Sequence, residues 1–154
     1  MKTLMAACAA TVALSACGPK VDVAKGHKID MVSTGWHDAG PVAGKNKLVP
    51  LASFTIRNVS DRSLPAVQLN AVFHRKGDSG EWGSAFVTAA GASAAGGEAQ
   101  VTLTSQLGYT GTDASDEMLR NSEFVDATVD VFAKYGSTQW TRVAELPIDR
   151  QLRP

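Results

Sequence analysis

The sequence has little cysteine and no excess of charge of either sign. Its two cysteines, Cys8 and Cys17, both lie near the N-terminus, so residues 18–154 hold no disulfide bond and depend on a hydrophobic core. Lysine plus arginine equal aspartate plus glutamate at 15 each, and the absence of a basic run argues against a nucleic-acid partner. After residue 16, no apolar run reaches the ~20 residues that a membrane-spanning helix needs.

Motifs for catalysis are also missing from the sequence. There is no Gly-x-Ser-x-Gly elbow, no P-loop and no dinucleotide-binding glycine pattern. The three histidines, His27, His37 and His74, do not share a spacing that suits metal ligands. A metal-dependent hydrolase built on His37, Asp38 and a distant acid is the remaining catalytic hypothesis. We predict that the protein is not an enzyme and holds no metal.

Residues 1–16 have the layout of a secretory signal peptide. Lys2 supplies a positive charge, residues 4–14 form an apolar stretch that only Thr11 interrupts, and two small residues follow. The apolar stretch is too short for a spanning helix. We therefore expect the chain to be exported and residues 1–16 to be removed.

The four residues Leu14-Ser15-Ala16-Cys17 resemble the lipobox of bacterial lipoproteins. The resemblance implies that Cys17 becomes the first mature residue, with a covalent diacylglycerol on its sulfur and an acyl chain on its amine. Each buried CH₂ contributes ~0.8 kcal/mol, so several chains make a stable membrane anchor. Gly18 stands where family members retained in the inner membrane often have Asp, which implies a periplasm-facing outer-membrane location. The alternative is an ordinary secreted protein in which Cys17 is a free thiol.

Period-two alternation of apolar and polar residues predicts strands in much of the remaining chain. Within residues 65–75, for example, Val67 and Leu69 share one face while Gln68 and Asn70 lie on the other. The predicted strands cover residues 28–36, 47–58, 65–75, 82–88, 98–105, 124–135 and 139–148.

Seven short strands separated by turn signals predict an all-β domain over residues 28–154. The pattern is typical of an antiparallel β-sandwich of the immunoglobulin or fibronectin type III kind, with a small barrel as the alternative. The cysteine and tryptophan spacing of immunoglobulin domains is missing, which favours the fibronectin-like form. Residues 17–27 are predicted to be the lipidated cysteine and a flexible tether, 38–46 a loop, and 149–154 a polar tail.

Part of the domain is similar to FxLyD-type domains, which are β-sandwiches found in many prokaryotic lipoproteins. The similarity covers residues 51–103 and includes a strand ending in Asn58-Val59-Ser60, the apolar strand 64–73 and a glycine turn at Gly80. Gly96-Gly97-Glu98 stands where the family has Pro-Gly-Glu. The resemblance implies a sandwich fold and no catalytic residues.

The longest irregular connection, residues 106–123, is the first candidate for contact with a partner, because long ordered connections are often functional. Ser115 is predicted to cap a short helix that ends at Arg120. Phe124 and Phe132 are predicted to share the face opposite the valines of their strand, unless that strand is buried on both sides. The candidate partner-binding residues are Tyr109, Met118, Leu119, Phe124 and Phe132.

These observations predict a lipid-anchored cell-envelope protein that binds an envelope protein as a non-catalytic accessory subunit or scaffold. Its expected partners are that protein and, through the lipid on Cys17, the membrane. The alternative is a periplasmic carrier or sensor of a small apolar or lipid ligand. A carrier needs a cavity between the sheets, for which the small inner-face residues Ala52, Ala71, Ala127 and Ala133 could leave room.

Overall fold

The computed structural model describes residues 21–154, so the lipobox and Cys17 lie outside the described residues. Within this range the chain forms nine strands and two short α-helices. The strands are β1 (His27–Val42), β2 (Lys45–Asn58), β3 (Val67–Arg75), β4 (Gly83–Ala89), β5 (Glu98–Thr104), β6 (Tyr109–Gly111), β7 (Ala127–Tyr135), β8 (Thr141–Pro147) and β9 (Leu152–Arg153). The helices are α1 (Val23–Gly26) and α2 (Ser115–Arg120), and a 3₁₀ turn covers Ala90–Ala92.

The strands form two sheets that enclose one core. One sheet has the order β5-β2-β1-β9, with β6 also paired to β2, and the other has the order β4-β3-β7-β8. Each of these pairings is antiparallel except that of β9 with β1. Side chains from both sheets, including Trp36, Ile56, Phe73 and Val129, are at most 1% exposed within a single cluster. The prediction of an all-β sandwich is confirmed.

Alternating burial along the strands produces this two-layer arrangement. In β7, Val129 and Val131 are buried, whereas Asp130 and Phe132 are half-buried on the other face. Burying each valine contributes about 1.5–3 kcal/mol. The seven predicted strands correspond to β1–β5, β7 and β8, and their ends differ from the prediction by three residues or fewer except at the end of β1.

The prediction of a loop over residues 38–46 is wrong. β1 continues to Val42 and β2 begins at Lys45, so only Ala43 and Gly44 connect them. Both connecting residues have positive φ, at 51° and 77°. A two-residue turn of this hand matches the twist of the strands it joins. Gly40 and Pro41, which also suggest a loop, lie instead at an irregularity in the pairing of β1 with β2.

Both ends of the described chain pack onto the sandwich, contrary to the predicted tether and tail. Residues 149–154 include β9, which pairs with β1. At the other end, His27 is 8% exposed, and its Nε2 donates to the Ala92 carbonyl at 2.9 Å. In this tautomer its Nδ1 accepts from the Tyr135 hydroxyl at 2.7 Å. These partners lie 65 and 108 residues away in the sequence, so no local pattern indicates them.

The two ends of the sandwich therefore differ. At the N-terminal end, where residues 21–27 dock, His27 pairs with Asn58 and bonds Tyr135, the last residue of β7. We call the opposite end the distal end; it includes Ala127, the first residue of β7. The two ends of β7 are about 26 Å apart at ~3.3 Å per residue.

Candidate partner-binding site

Four aromatic side chains from distant parts of the sequence converge at the distal end. The Phe124 ring lies 4.8 Å from Trp36 and 4.8 Å from Tyr109, measured between centroids, and Tyr109 lies 4.9 Å from Trp82. Offset and edge contacts of this kind add about 0.5–1.5 kcal/mol each beyond area burial. The cluster thus holds β1, β6 and the segments before β4 and β7 in fixed positions.

Helix α2 is held beside this cluster through Ser115. The Ser115 hydroxyl donates to Asp38 Oδ2 at 2.6 Å, and Gly40 N donates to Asp38 Oδ1 at 2.8 Å. These two bonds, that of Ser115 first, lower the pKa of Asp38. The predicted helix over residues 115–120 is confirmed, but the predicted capping role of Ser115 is wrong, because Ala114 is the N-cap and Ser115 already lies in the first turn.

Arg150 fastens the segment between α2 and β7. Its guanidinium carbon lies 5.3 Å from the Phe124 ring centroid, and its Nη2 donates to the Phe124 carbonyl at 2.7 Å. Its Nε also donates to Asp126 Oδ1 at 2.5 Å. One planar side chain thereby satisfies several acceptors at once. No pattern in the sequence indicates this role, because Arg150 falls in the predicted polar tail.

An open pocket of about 190 Å³ lies between β6, α2 and the residues before β7. Its apolar wall comes from Tyr109, Met118 and Phe124, and its rim includes the carboxylates of Asp113 and Glu123. Gly111 also lines the pocket, and a Cβ at this position would lie 3.1 Å from Met118 Cε. We call this pocket and its rim the distal pocket.

The structure brings only part of the predicted site together. Tyr109, Met118 and Phe124 line the distal pocket, whereas Leu119 is 5% exposed and belongs to the core. The prediction that Phe124 and Phe132 share a face is wrong, because β7 begins at Ala127 and Phe124 turns into the aromatic cluster.

Phe132 lies instead on the outer side of the β4-β3-β7-β8 sheet. Asn70 of β3 pairs with Phe132 on one side and with Phe86 on the other, so the three form one row. Phe86 is 58% exposed, and its ring centroid lies 6.2 Å from that of Trp140, which is 39% exposed. We call Phe86, Phe132 and Trp140 the outer aromatic face. The sequence did not identify Phe86, because a single phenylalanine in a small strand carries no distinguishing pattern.

Several polar groups at and beside the distal pocket are buried. Burial is the main cause that raises the pKa of Tyr109. The charge of Arg75 lowers this pKa by a smaller amount, and the charge of Asp126 raises it slightly. The Tyr109 hydroxyl and Trp36 Nε1 are buried without a hydrogen-bond partner in the described chain. Within residues 21–154, no three His, Cys, Asp or Glu side chains are grouped to hold a metal ion. No helix in this range has the length and apolar character needed to cross a membrane.

The fold and the site define an all-β sandwich domain with an open pocket at one end. No protein-family model and no curated protein matches the sequence. Among solved structures, the chain is similar to the ligand-binding region of serine-glutamate repeat protein A (SgrA) of Enterococcus faecium. The identity is 15% and the TM-score 0.31, over 76% of this chain and 90% of that chain.

Proposed function

We propose that this chain is a lipid-anchored cell-envelope protein, on the periplasmic side of the outer membrane, whose sandwich binds an envelope protein as a non-catalytic accessory subunit or scaffold. The observation that carries the proposal is that two features lie at opposite ends of the sandwich. The chain enters the sandwich at the N-terminal end, and the distal pocket, with Tyr109, Met118 and Phe124, lies at the other.

The distance between the ends favours a protein partner over the bilayer itself. The proposed lipid-bearing residue, Cys17, precedes Val21 by four positions, which span at most about 14 Å. Because α1 and His27 are packed against the sandwich, the N-terminal end would lie close to the membrane. The distal pocket would then be about 26 Å further away, within reach of another envelope protein.

Packing between the sheets favours a surface partner over an enclosed ligand. The four alanines that a carrier would use to leave room, at positions 52, 71, 127 and 133, are each at most 2% exposed. They belong to the same core cluster as large side chains such as Trp36 and Phe73. Small residues here bring the sheets together, which is the simpler reason for their presence.

Site-specific photocrosslinking in native membranes tests the proposal. A benzophenone side chain would replace Asn121, an exposed residue that lines the distal pocket, and a matched one would replace Val59, which is 51% exposed beside Asn58 at the N-terminal end. We expect a discrete protein adduct from position 121 and not from position 59. We also expect Cys17→Ser to release the protein from the membrane fraction and to abolish the adduct.

Two results would contradict the proposal. One is equal adducts from both positions, because contact would then not depend on the distal end. The other is a protein that shows no adduct from position 121 and yields a stoichiometric lipid on extraction, which would favour the carrier alternative.

A further inference from the structure

The distal pocket carries acidic groups that the rest of the domain does not neutralise. Residues 113–123 contain four acidic residues and one basic residue, in a chain whose formal charge is balanced. Asp116 forms an ion pair with Arg120. The carboxylates of Asp113 and Glu123, in contrast, make no ion pair and no hydrogen bond with any residue in the range 21–154, and both line the pocket.

Below this acidic rim the pocket wall is apolar and aromatic. Phe124 and Met118 are 8% and 7% exposed, and Tyr109 is half-buried beside them. One face of Phe124 already carries the Arg150 guanidinium, so the rings of Phe124 and Tyr109 provide a packing surface for an alkyl chain, and the methionine thioether adapts to the shape of that chain. An occupant with an apolar stem and a positive head would therefore meet a favourable group along its whole length.

The size of the pocket agrees with such an occupant. A lysine side chain is a line of five heavy atoms, each similar in size to a water molecule. The pocket holds about 190 Å³ and opens to solvent, so the longer side chain of arginine would also be accommodated.

We propose that the distal pocket binds a lysine or arginine side chain from a basic segment of the partner protein. The alkyl stem packs on Met118 and the rings of Tyr109 and Phe124, and the charged head reaches the carboxylates of Asp113 and Glu123. That the side chain belongs to a protein rests on the proposed function. The preference for a basic side chain rests on the pocket alone.

Intrinsic tryptophan fluorescence of the full chain in detergent micelles tests the preference. Trp140→Phe removes the tryptophan of the outer aromatic face and leaves Trp36 and Trp82, whose rings lie 4.8 Å from Phe124 and 4.9 Å from Tyr109. The probes are the N-acetyl methylamides of lysine and of norleucine, which has a similar stem without the charge. For a ligand of this size, the lysine probe should bind with Kd ~1 mM.

We expect the lysine probe to bind at least about fivefold more tightly than the norleucine probe, and less tightly as salt is raised. The double variant Asp113→Asn with Glu123→Gln should weaken lysine binding about fourfold to twenty-five-fold, because each exposed charge contact contributes a factor of about two to five. The same variant should leave norleucine binding unchanged. Glu117→Gln, on α2 between these two residues but outside the pocket lining, is the matched control and should change neither.

Equal binding of the two probes, or lysine binding that survives the double variant, would overturn the inference. The crosslinking experiment separates this failure from failure of the proposed function. A protein adduct at position 121 together with equal probe binding refutes only the basic side chain. Charge-dependent lysine binding without an adduct refutes only the protein partner, and an adduct of twice the chain mass would replace that partner with a second copy.

Discussion

Replacing Asn58 with alanine tests a polar side chain that is fully buried at the N-terminal end. Its Nδ2 donates to the carbonyls of Arg62 and Ser93, both at 2.9 Å. Its Oδ1 accepts from Ser60 N at 2.9 Å and from Ser60 Oγ at 2.7 Å. One amide group therefore fixes the turn after β2 and ties it to the segment before β5.

The expected cost follows from these four bonds. Each contributes about 1 kcal/mol net, and a buried partner left unpaired costs more. Ser60 is only half-buried, and its single hydroxyl hydrogen, once released from Asn58, can donate to the Arg62 carbonyl 2.8 Å away, so water and this alternative bond recover part of the loss. We expect Asn58→Ala to lower the free energy of unfolding by about 2–4 kcal/mol, with Tm falling roughly 3–5 °C per kcal/mol.

Asn58→Asp separates hydrogen bonding from shape, because it keeps the size of the side chain. A carboxylate oxygen would replace the amide nitrogen and would face the carbonyls of Arg62 and Ser93, to which the nitrogen donates. The loss of unfolding free energy at neutral pH should therefore equal or exceed that of Asn58→Ala. The pKa of this carboxyl would be raised above its ordinary ~3.9 in the folded state. Its penalty should therefore shrink as the pH falls below that raised value.

Urea unfolding followed by circular dichroism measures these differences. Asn70→Ala is the matched control, because Asn70 is half-buried on the outer sheet face and its side chain makes no hydrogen bond to any described residue. It should change stability by at most about 0.5 kcal/mol. A loss below about 1 kcal/mol for Asn58→Ala, or one equal to that of Asn70→Ala, would refute the reasoning.

Three further substitutions test the distal end. Ser115→Ala removes the hydrogen bond that contributes most to the lowered pKa of Asp38. This pKa should therefore rise towards its ordinary value in a carbon-detected NMR titration. As the solution is acidified, the stability that ionised Asp38 contributes should then be lost at a higher pH than in the unsubstituted protein. Gly111→Ala should cost less than about 1 kcal/mol in thermal unfolding, because flexible Met118 can move, yet weaken the adduct at position 121 by filling the pocket. Arg150→Ala should lower the free energy of unfolding in urea by about 2 kcal/mol, because the Phe124 carbonyl and the Asp126 carboxylate lose their donor.

The fold was predictable because its main signal is local. The alternation of apolar and polar residues at Val129, Asp130 and Val131 follows from the geometry of a single strand. It assigns each residue to one face of the sheet whichever strand lies beside it. The bonds between Asn58 and Ser60 are likewise local, because an asparagine side chain reaches the backbone two residues on. That contact explains why the Asn58-Val59-Ser60 sequence favours a turn at the end of β2.

The candidate site was predictable only as a segment. The length of the 106–123 connection marks it as a candidate contact segment, and its sequence predicts the short helix. Which side chains meet depends on contacts between distant residues, such as Phe124 with Trp36 and Ser115 with Asp38. The three-residue difference in the start of β7 was enough to move Phe124 from the sheet face to the distal end. Phe124 and Val125 extend the apolar pattern beyond the start of β7, and for this reason the pattern predicts a start that is too early.

The position of the N-terminal end bears on what each surface can contact. If the sandwich stands on that end, the β-strands run away from the membrane, and the distal pocket faces partners above the protein. The outer aromatic face then forms a side wall, and its exposed Phe86 and Trp140 face neighbours that lie at the same height. A benzophenone at position 86 therefore reports lateral contacts and one at position 121 contacts above the sandwich. The hydrogen bonds of His27 hold residues 21–27 on the sandwich, so His27→Ala should let the sandwich change its orientation relative to the membrane. A partner that crosslinks to position 121 but not to position 86 should then crosslink to both positions in this variant.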